Sequence, residues 1–231
     1  LLRVEDINVA YGSATVLHDV SLNVNKGETV FIVGRNGAGK TTLLKTICGL
    51  MKPAKGKIEY MDQNTCELDT PKLAKRGLRF VAQDKKVFGD LTVRENIELA
   101  AYACKEDLKK STEKVTEIYP KINDFLDMKS DGLSGGQREI LLIGRAMVGN
   151  PNLLLIDEPT EGLAVIVIND IFRIIKNQIK ELNISALIVE QNLSIVKNLA
   201  DRIYIMKEGH IIKEIDNRRG CLDVSELETY L

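Results

Sequence analysis

Three stretches of this chain are apolar at nearly every position: 29–33 (Thr-Val-Phe-Ile-Val), 153–156 (Leu-Leu-Leu-Ile) and 186–189 (Ala-Leu-Ile-Val). Short runs without polar interruption predict strands buried on both faces. Between them lie segments with helical spacing of apolar residues, at 41–48, 135–148 and 168–182. Strand and helix in alternation predict an α/β fold with a mostly parallel sheet covered on both sides. The first residues behave differently. Residues 3–10, and Val20, Leu22 and Val24 with their polar neighbours, predict half-buried strands. Shorter strands are expected at 57–61 and 78–82, separated by a helix that Thr70-Pro71 starts and Gly77 stops.

The middle, about 84–132, is more polar and helical. Thr92-Val93-Arg94-Glu95 has the form of a capping box, and Val115, Ile118, Tyr119 and Ile122 fall on one face before or across Pro120. Residues 202–216 read as a hairpin turning at Lys207-Glu208-Gly209, followed by a short polar tail. The expected organisation is one domain over 1–231. Residues 1–83 and 150–231 form its core and an antiparallel β subdomain, and 84–149 a helical subdomain.

At 231 residues the chain buries a full core but is short for two independent domains. Its formal net charge of -1 and lack of a long basic run leave no electrostatic footprint for nucleic acid or anionic lipid. Cys48, Cys66, Cys104 and Cys221 show no metal-type pairing, which fits a reduced, cytoplasmic protein. No apolar stretch reaches the roughly 20 residues that span a bilayer, and Leu1-Leu2-Arg3-Val4-Glu5 is not a signal peptide. A role at a membrane therefore calls for another polypeptide to hold the chain there.

Chemistry concentrates after the first apolar run. Gly34-Arg35-Asn36-Gly37-Ala38-Gly39-Lys40-Thr41-Thr42 joins that strand to the helix that follows, the context a phosphate-binding loop requires. Glycines at 34, 37 and 39 free the backbone to turn successive N–H groups toward one anion, and the helix adds its unpaired donors. Lys40 is spaced to reach the β and γ phosphates, and the Thr41 hydroxyl to ligate magnesium.

The strand 153–156 ends in Asp157-Glu158. Placed beside the phosphate-loop strand, it would set Asp157 to hold magnesium through water and Glu158 to orient or deprotonate an attacking water. Acidic residues also end strands for no catalytic reason, so this pair is weaker evidence by itself. Leu133-Ser134-Gly135-Gly136-Gln137-Arg138 is the most discriminating element. Ser134 and Gln137 form an N-terminal cap, and Gly135 and Gly136 leave the helix start open to an anion. One chain has little reason to aim two phosphate-binding helix ends at one nucleotide, so the second is expected to serve a partner's.

In this order, with Gln83 at a strand end, these elements resemble the ATP-binding cassette (ABC) ATPases over nearly the whole chain. The resemblance implies a RecA-like P-loop core, ATP and Mg2+ as ligands, and a head-to-tail dimer with ATP between the phosphate loop of one cassette and Ser134–Gln137 of the other. It also implies that Tyr11 stacks on adenine and that Gln83 links the magnesium site to the helical subdomain. Permease subunits in the membrane, and through them an extracytoplasmic solute-binding protein, complete the implied assembly.

Departures from the family pattern narrow the reading. Gln191 occupies the place of a histidine that contacts the γ-phosphate, and His18 and His210 fall elsewhere. Glutamine donates a neutral hydrogen bond but carries no proton near neutral pH. Ala164 replaces an aspartate that communicates between sites. Glu190-Gln191-Asn192, Glu161-Gly162-Leu163-Ala164, Val87-Phe88 before Leu91-Thr92-Val93, and Tyr230-Leu231 resemble the second ATPase subunit of branched-chain amino acid importers, except that Val165 stands where proline is usual. Urea and short-amide importers share much of this pattern. A soluble cassette protein of translation or DNA repair is the reading outside transport, and a P-loop kinase leaves Ser134–Gln137 unexplained.

Overall fold

The computed structural model describes residues 1–66, 68–84, 86–220, 222 and 224–230, with Ile166 and Glu226 described by backbone alone. Cys221 and Leu231 lie outside the described residues. Among these residues, β1 (Leu2–Tyr11), β2 (Ala14–Val24), β4 (Lys55–Tyr60) and β5 (Gln63–Asn64) form an antiparallel sheet in the order β2-β1-β4-β5. The second sheet runs β10-β9-β3-β8-β7-β6, from β10 (His210–Asp216), β9 (Arg202–Lys207), β3 (Thr29–Val33), β8 (Ser185–Val189), β7 (Leu153–Asp157) and β6 (Leu78–Val81). All its pairings are parallel except the β9–β10 hairpin.

The pleat of that sheet divides the core. Val30 and Ile32 of β3, Leu153 and Leu155 of β7, and Tyr204 and Met206 of β9 face the antiparallel sheet and α1 (Lys40–Ile47). Their neighbours Phe31, Val33, Leu154, Ile156, Ile203 and Ile205 face α5 (Gly135–Met147), α6 (Val165–Leu182), α7 (Leu193–Leu199) and α8 (Val224–Glu228). A period of two with both faces buried makes the strands read as unbroken apolar runs.

A third cluster gathers Val93, Ile97, Ala101, Val115, Ile122, Leu126, Leu133, Leu141 and Val148 from α3 (Val93–Cys104), α4 (Leu108–Ile118), the following 3-10 turns and the inner face of α5. The Thr92–Glu95 capping box closes at the start of α3. Helix α2 (Thr70–Lys75) instead takes its cap from Asp69, with Pro71 in its first turn.

Some expectations are corrected. Strand β7 is not beside β3, because β8 lies between them and pairs with both. Strand β2 begins at Ala14 rather than Val20, since its first half alternates too weakly to read. The tail is not polar throughout: Leu222 and, within α8, Leu227 are buried in the core beside α7. The Asn217 side chain ties this turn down by donating to the carbonyls of Lys197 and Ala200 and accepting from the Leu222 N–H.

Candidate functional site

The C-terminal ends of β3, β8 and β7 stand in a row, and the candidate residues follow them directly. After β3 the chain turns through Gly37 and Gly39, with φ of 81° and 101°, left-handed values that residues with a Cβ rarely adopt. Gly34 is needed for another reason than the expected backbone freedom. A Cβ there would meet the Met206 carbonyl oxygen of β9 at 2.3 Å. The Gly209 N–H in the β9–β10 turn donates to the Ala38 carbonyl at 3.0 Å, so that hairpin holds the loop from its other side.

Lys40 opens α1 and is 4% exposed. Its ammonium donates to the Gly34 carbonyl at 2.8 Å and the Arg35 carbonyl at 3.0 Å, and lies 3.2 Å from Glu158 Oε1. Three donors thus have three acceptors, the full capacity of an ammonium. A buried cation so placed would leave these partners only for a stronger anion.

Asp157 and Glu158 end β7. Neither Asp157 oxygen has a hydrogen-bond partner, although the residue is 1% exposed. Burial pushes its carboxyl up to about 6; the nearby Thr41 hydroxyl opposes that rise without completing a hydrogen bond. Glu158 has a φ of 46°, uncommon for a residue with a Cβ, and its N–H donates to Val189 of β8. Its side chain gathers three neighbours: Lys40, Gln191 Nε2 at 2.8 Å and Gln83 Nε2 at 3.5 Å.

The interposed β8 explains the position of Gln191. From its end, the Gln191 amide nitrogen reaches both Asn36 Oδ1 of the loop and Glu158 Oε1, each at 2.8 Å. Buried Glu190 anchors this stretch, accepting from the Gln191 N–H at 2.6 Å and from the Thr160 hydroxyl. Burial raises its carboxyl above the ordinary range, and these donors limit the rise.

Ser134 caps α5, accepting from the Gln137 N–H at 3.3 Å, while Gln137 Oε1 accepts from the Ser134 N–H at 2.8 Å. Ser134 and Gly135 are exposed. Gly136 is not open to a ligand as its sequence context suggests. It is buried against α6, where a Cβ would meet Val167 Cγ1 at 2.4 Å.

A family model for ABC transporters matches residues 17–161. The chain belongs to the ABC transporter family. The high-affinity branched-chain amino acid transport ATP-binding protein BraG of Pseudomonas aeruginosa is 38% identical to it over 213 residues, 92% of this chain and 91% of that protein. The probable branched-chain amino acid transport ATP-binding protein LivF of Archaeoglobus fulgidus is 32% identical over 212 residues, 91% of this chain and 90% of that protein. The dimeric post-hydrolysis structure of an ATP-binding cassette with ADP and phosphate superimposes with a TM-score of 0.85 at 27% identity, covering 94% and 98% of the two chains. This chain is accordingly a nucleotide-binding ABC ATPase whose hydrolysis of ATP is coupled to transport.

Within the cassette, Gly34–Thr42, Gln83, Asp157, Glu158 and Gln191 surround one site. Tyr11 closes β1 at 51% exposure, and Ser134–Gln137 begin a separate helix end. Two contributors were not singled out from the sequence for the site: Glu190, and Glu161, whose Oε2 accepts from Gln83 Nε2 at 2.8 Å. An acidic residue one turn past Glu158 was the available signal for Glu161. His18 and His210 stack on each other with ring centroids 4.9 Å apart, away from the residues that follow β3, β8 and β7.

Proposed function

We propose that this cassette is the energy-coupling subunit of a branched-chain amino acid importer, working on the inner face of the membrane through permease subunits. The observation that carries the chemical part is the convergence of Lys40, Gln83 and Gln191 on Glu158. The cargo rests on the BraG and LivF relatives, whose names give branched-chain amino acids as what they transport.

In this reading the β and γ phosphates of ATP take the place of Glu158 and the loop carbonyls at the Lys40 ammonium, within a cradle of N–H groups from 34–42. Glu158, released from its cation, orients or deprotonates the attacking water, and Gln191 keeps that carboxylate aligned and senses the γ-phosphate through a neutral hydrogen bond. The two unpaired oxygens of buried Asp157 suit a divalent cation, so Thr41, Gln83 and Asp157 would hold magnesium, which neutralises phosphate charge when bound. Tyr11 supplies an exposed ring for adenine. Exposed Ser134 and Gly135, with Gly136 fixing the packing of their helix and Gln137 closing its cap, would meet the nucleotide of a second cassette, self or sister.

A groove of about 780 Å3 lies along the β6 edge, lined by Phe80, Ala100, Cys104, Leu142 and Ala146 among others. It adjoins the segment leaving Gln83, which makes it the face for a permease element. No described helix is long and apolar enough to cross a membrane, so such a subunit would carry the anchorage. Affinity capture of the tagged chain from detergent-solubilised source membranes tests the assembly. Polytopic membrane subunits, a second cassette and an extracytoplasmic solute-binding protein are the expected companions. Recovery of ribosomal or DNA-associated proteins alone would reject transport.

A further inference from the structure

Gln83 has an amide with two unlike ends, and only one of them can face a carboxylate. Its nitrogen lies 2.8 Å from Glu161 Oε2 and 3.5 Å from Glu158 Oε2. Ionised carboxylates accept and do not donate, so the NH2 group is fixed on them and the amide oxygen is the end left for another partner. The Glu161 contact is the shorter, and Glu158 already serves Lys40 and Gln191 through Oε1. Glu161 comes within reach because the chain after β7 folds into a turn, its N–H donating to the Glu158 carbonyl at 3.3 Å and that of Leu163 to Thr160 at 3.1 Å.

We propose that Glu161 is a positioning residue that holds the Gln83 amide with its oxygen presented to magnesium. The proposal rests on the reading of Gln83 as a ligand of that ion. Without Glu161 the amide can turn over and offer its hydrogens to the cation, which repels them. The deficit then belongs to the magnesium-dependent part of ATP affinity and not to the contacts of the phosphate loop.

Calorimetric titration of ATP into the full chain, once with magnesium and once with EDTA, separates the two parts without turnover as the readout. Glu161→Ala is expected to reduce the magnesium enhancement of affinity at least about tenfold, the weight of one charge-assisted hydrogen bond, with affinity in EDTA held within about twofold. Glu161→Gln, whose own oxygen can accept from Gln83, should restore most of the enhancement. An unchanged enhancement in Glu161→Ala, equal losses in both buffers, or a Glu161→Gln no better than alanine would overturn the role. Absence of ATP binding by the unsubstituted chain in both buffers would overturn the nucleotide site itself, and this role with it.

Discussion

Asp157, the proposed magnesium ligand, sits where its charge costs the fold stability. Its carboxyl is held at about 6 by burial, against an ordinary aspartate value of 3.8, so between those values the folded protein keeps a proton that the unfolded chain has released. Stability therefore falls as pH rises through that window; the destabilisation is absent below about pH 4 and complete above about pH 6. Asp157→Asn keeps the shape and removes the charge. In nucleotide-free protein it is expected to raise stability at about pH 8 by at most about 3 kcal/mol, with a smaller gain at about pH 5. Urea unfolding at the two pH values checks this, and an equal or lower stability of the variant at the higher pH contradicts it. The same variant should lose the magnesium enhancement of ATP binding, because an amide replaces the anion. Glu158 differs, since its charge is already matched by Lys40 at 3.2 Å.

At the scale of elements, close approach of α5 to α6 decides what the start of α5 tolerates. Alanine in place of glycine normally favours a helix, by about 0.5–1 kcal/mol. At Gly136 the new Cβ would sit 2.4 Å from Val167 Cγ1, and β-branched valine has little freedom to retreat. Gly136→Ala is thus expected to destabilise by about 1–3 kcal/mol, and Val167→Ala to recover part of that loss in the double variant. Additive effects in chemical denaturation would show that the two side chains do not compete for one space. The apolar runs at 29–33, 153–156 and 186–189 were readable as strands because their buried faces leave no ambiguity. Their order was not, since nothing in a strand's composition names its neighbour, and β8 between β3 and β7 emerged only with the fold. Gly34 looked like its loop companions, yet a β9 carbonyl distant in sequence explains it. Helices α7 and α8 escaped notice because they are short and their buried residues, Val196 and Leu227 among them, complete no repeat.

For the whole molecule, the proposed function makes the row of strand ends one half of a reaction site and the Ser134 helix end the half offered to a second cassette's nucleotide. Motif order was legible because phosphate loops, acidic strand ends and capped glycine starts each impose residue types at fixed spacing. The tie from Gln83 to Glu161 was not, because it joins residues far apart in sequence through a turn visible only in three dimensions. In the proposed assembly the face beside the groove would meet the permease; there Phe88 lies against the Arg145 guanidinium at 5.1 Å, and Asn96 holds the Phe88 backbone from both sides. The assignment of chemistry to this row is best tested in the membrane complex captured through the tagged chain, by comparing steady-state ATP hydrolysis with that of Glu158→Gln while ATP retention is followed in parallel. The expected result is ATP held as well as before and turnover lowered at least about a hundredfold, the weight of a general base. Hydrolysis persisting at the unsubstituted rate would contradict the placement of the reaction at Glu158.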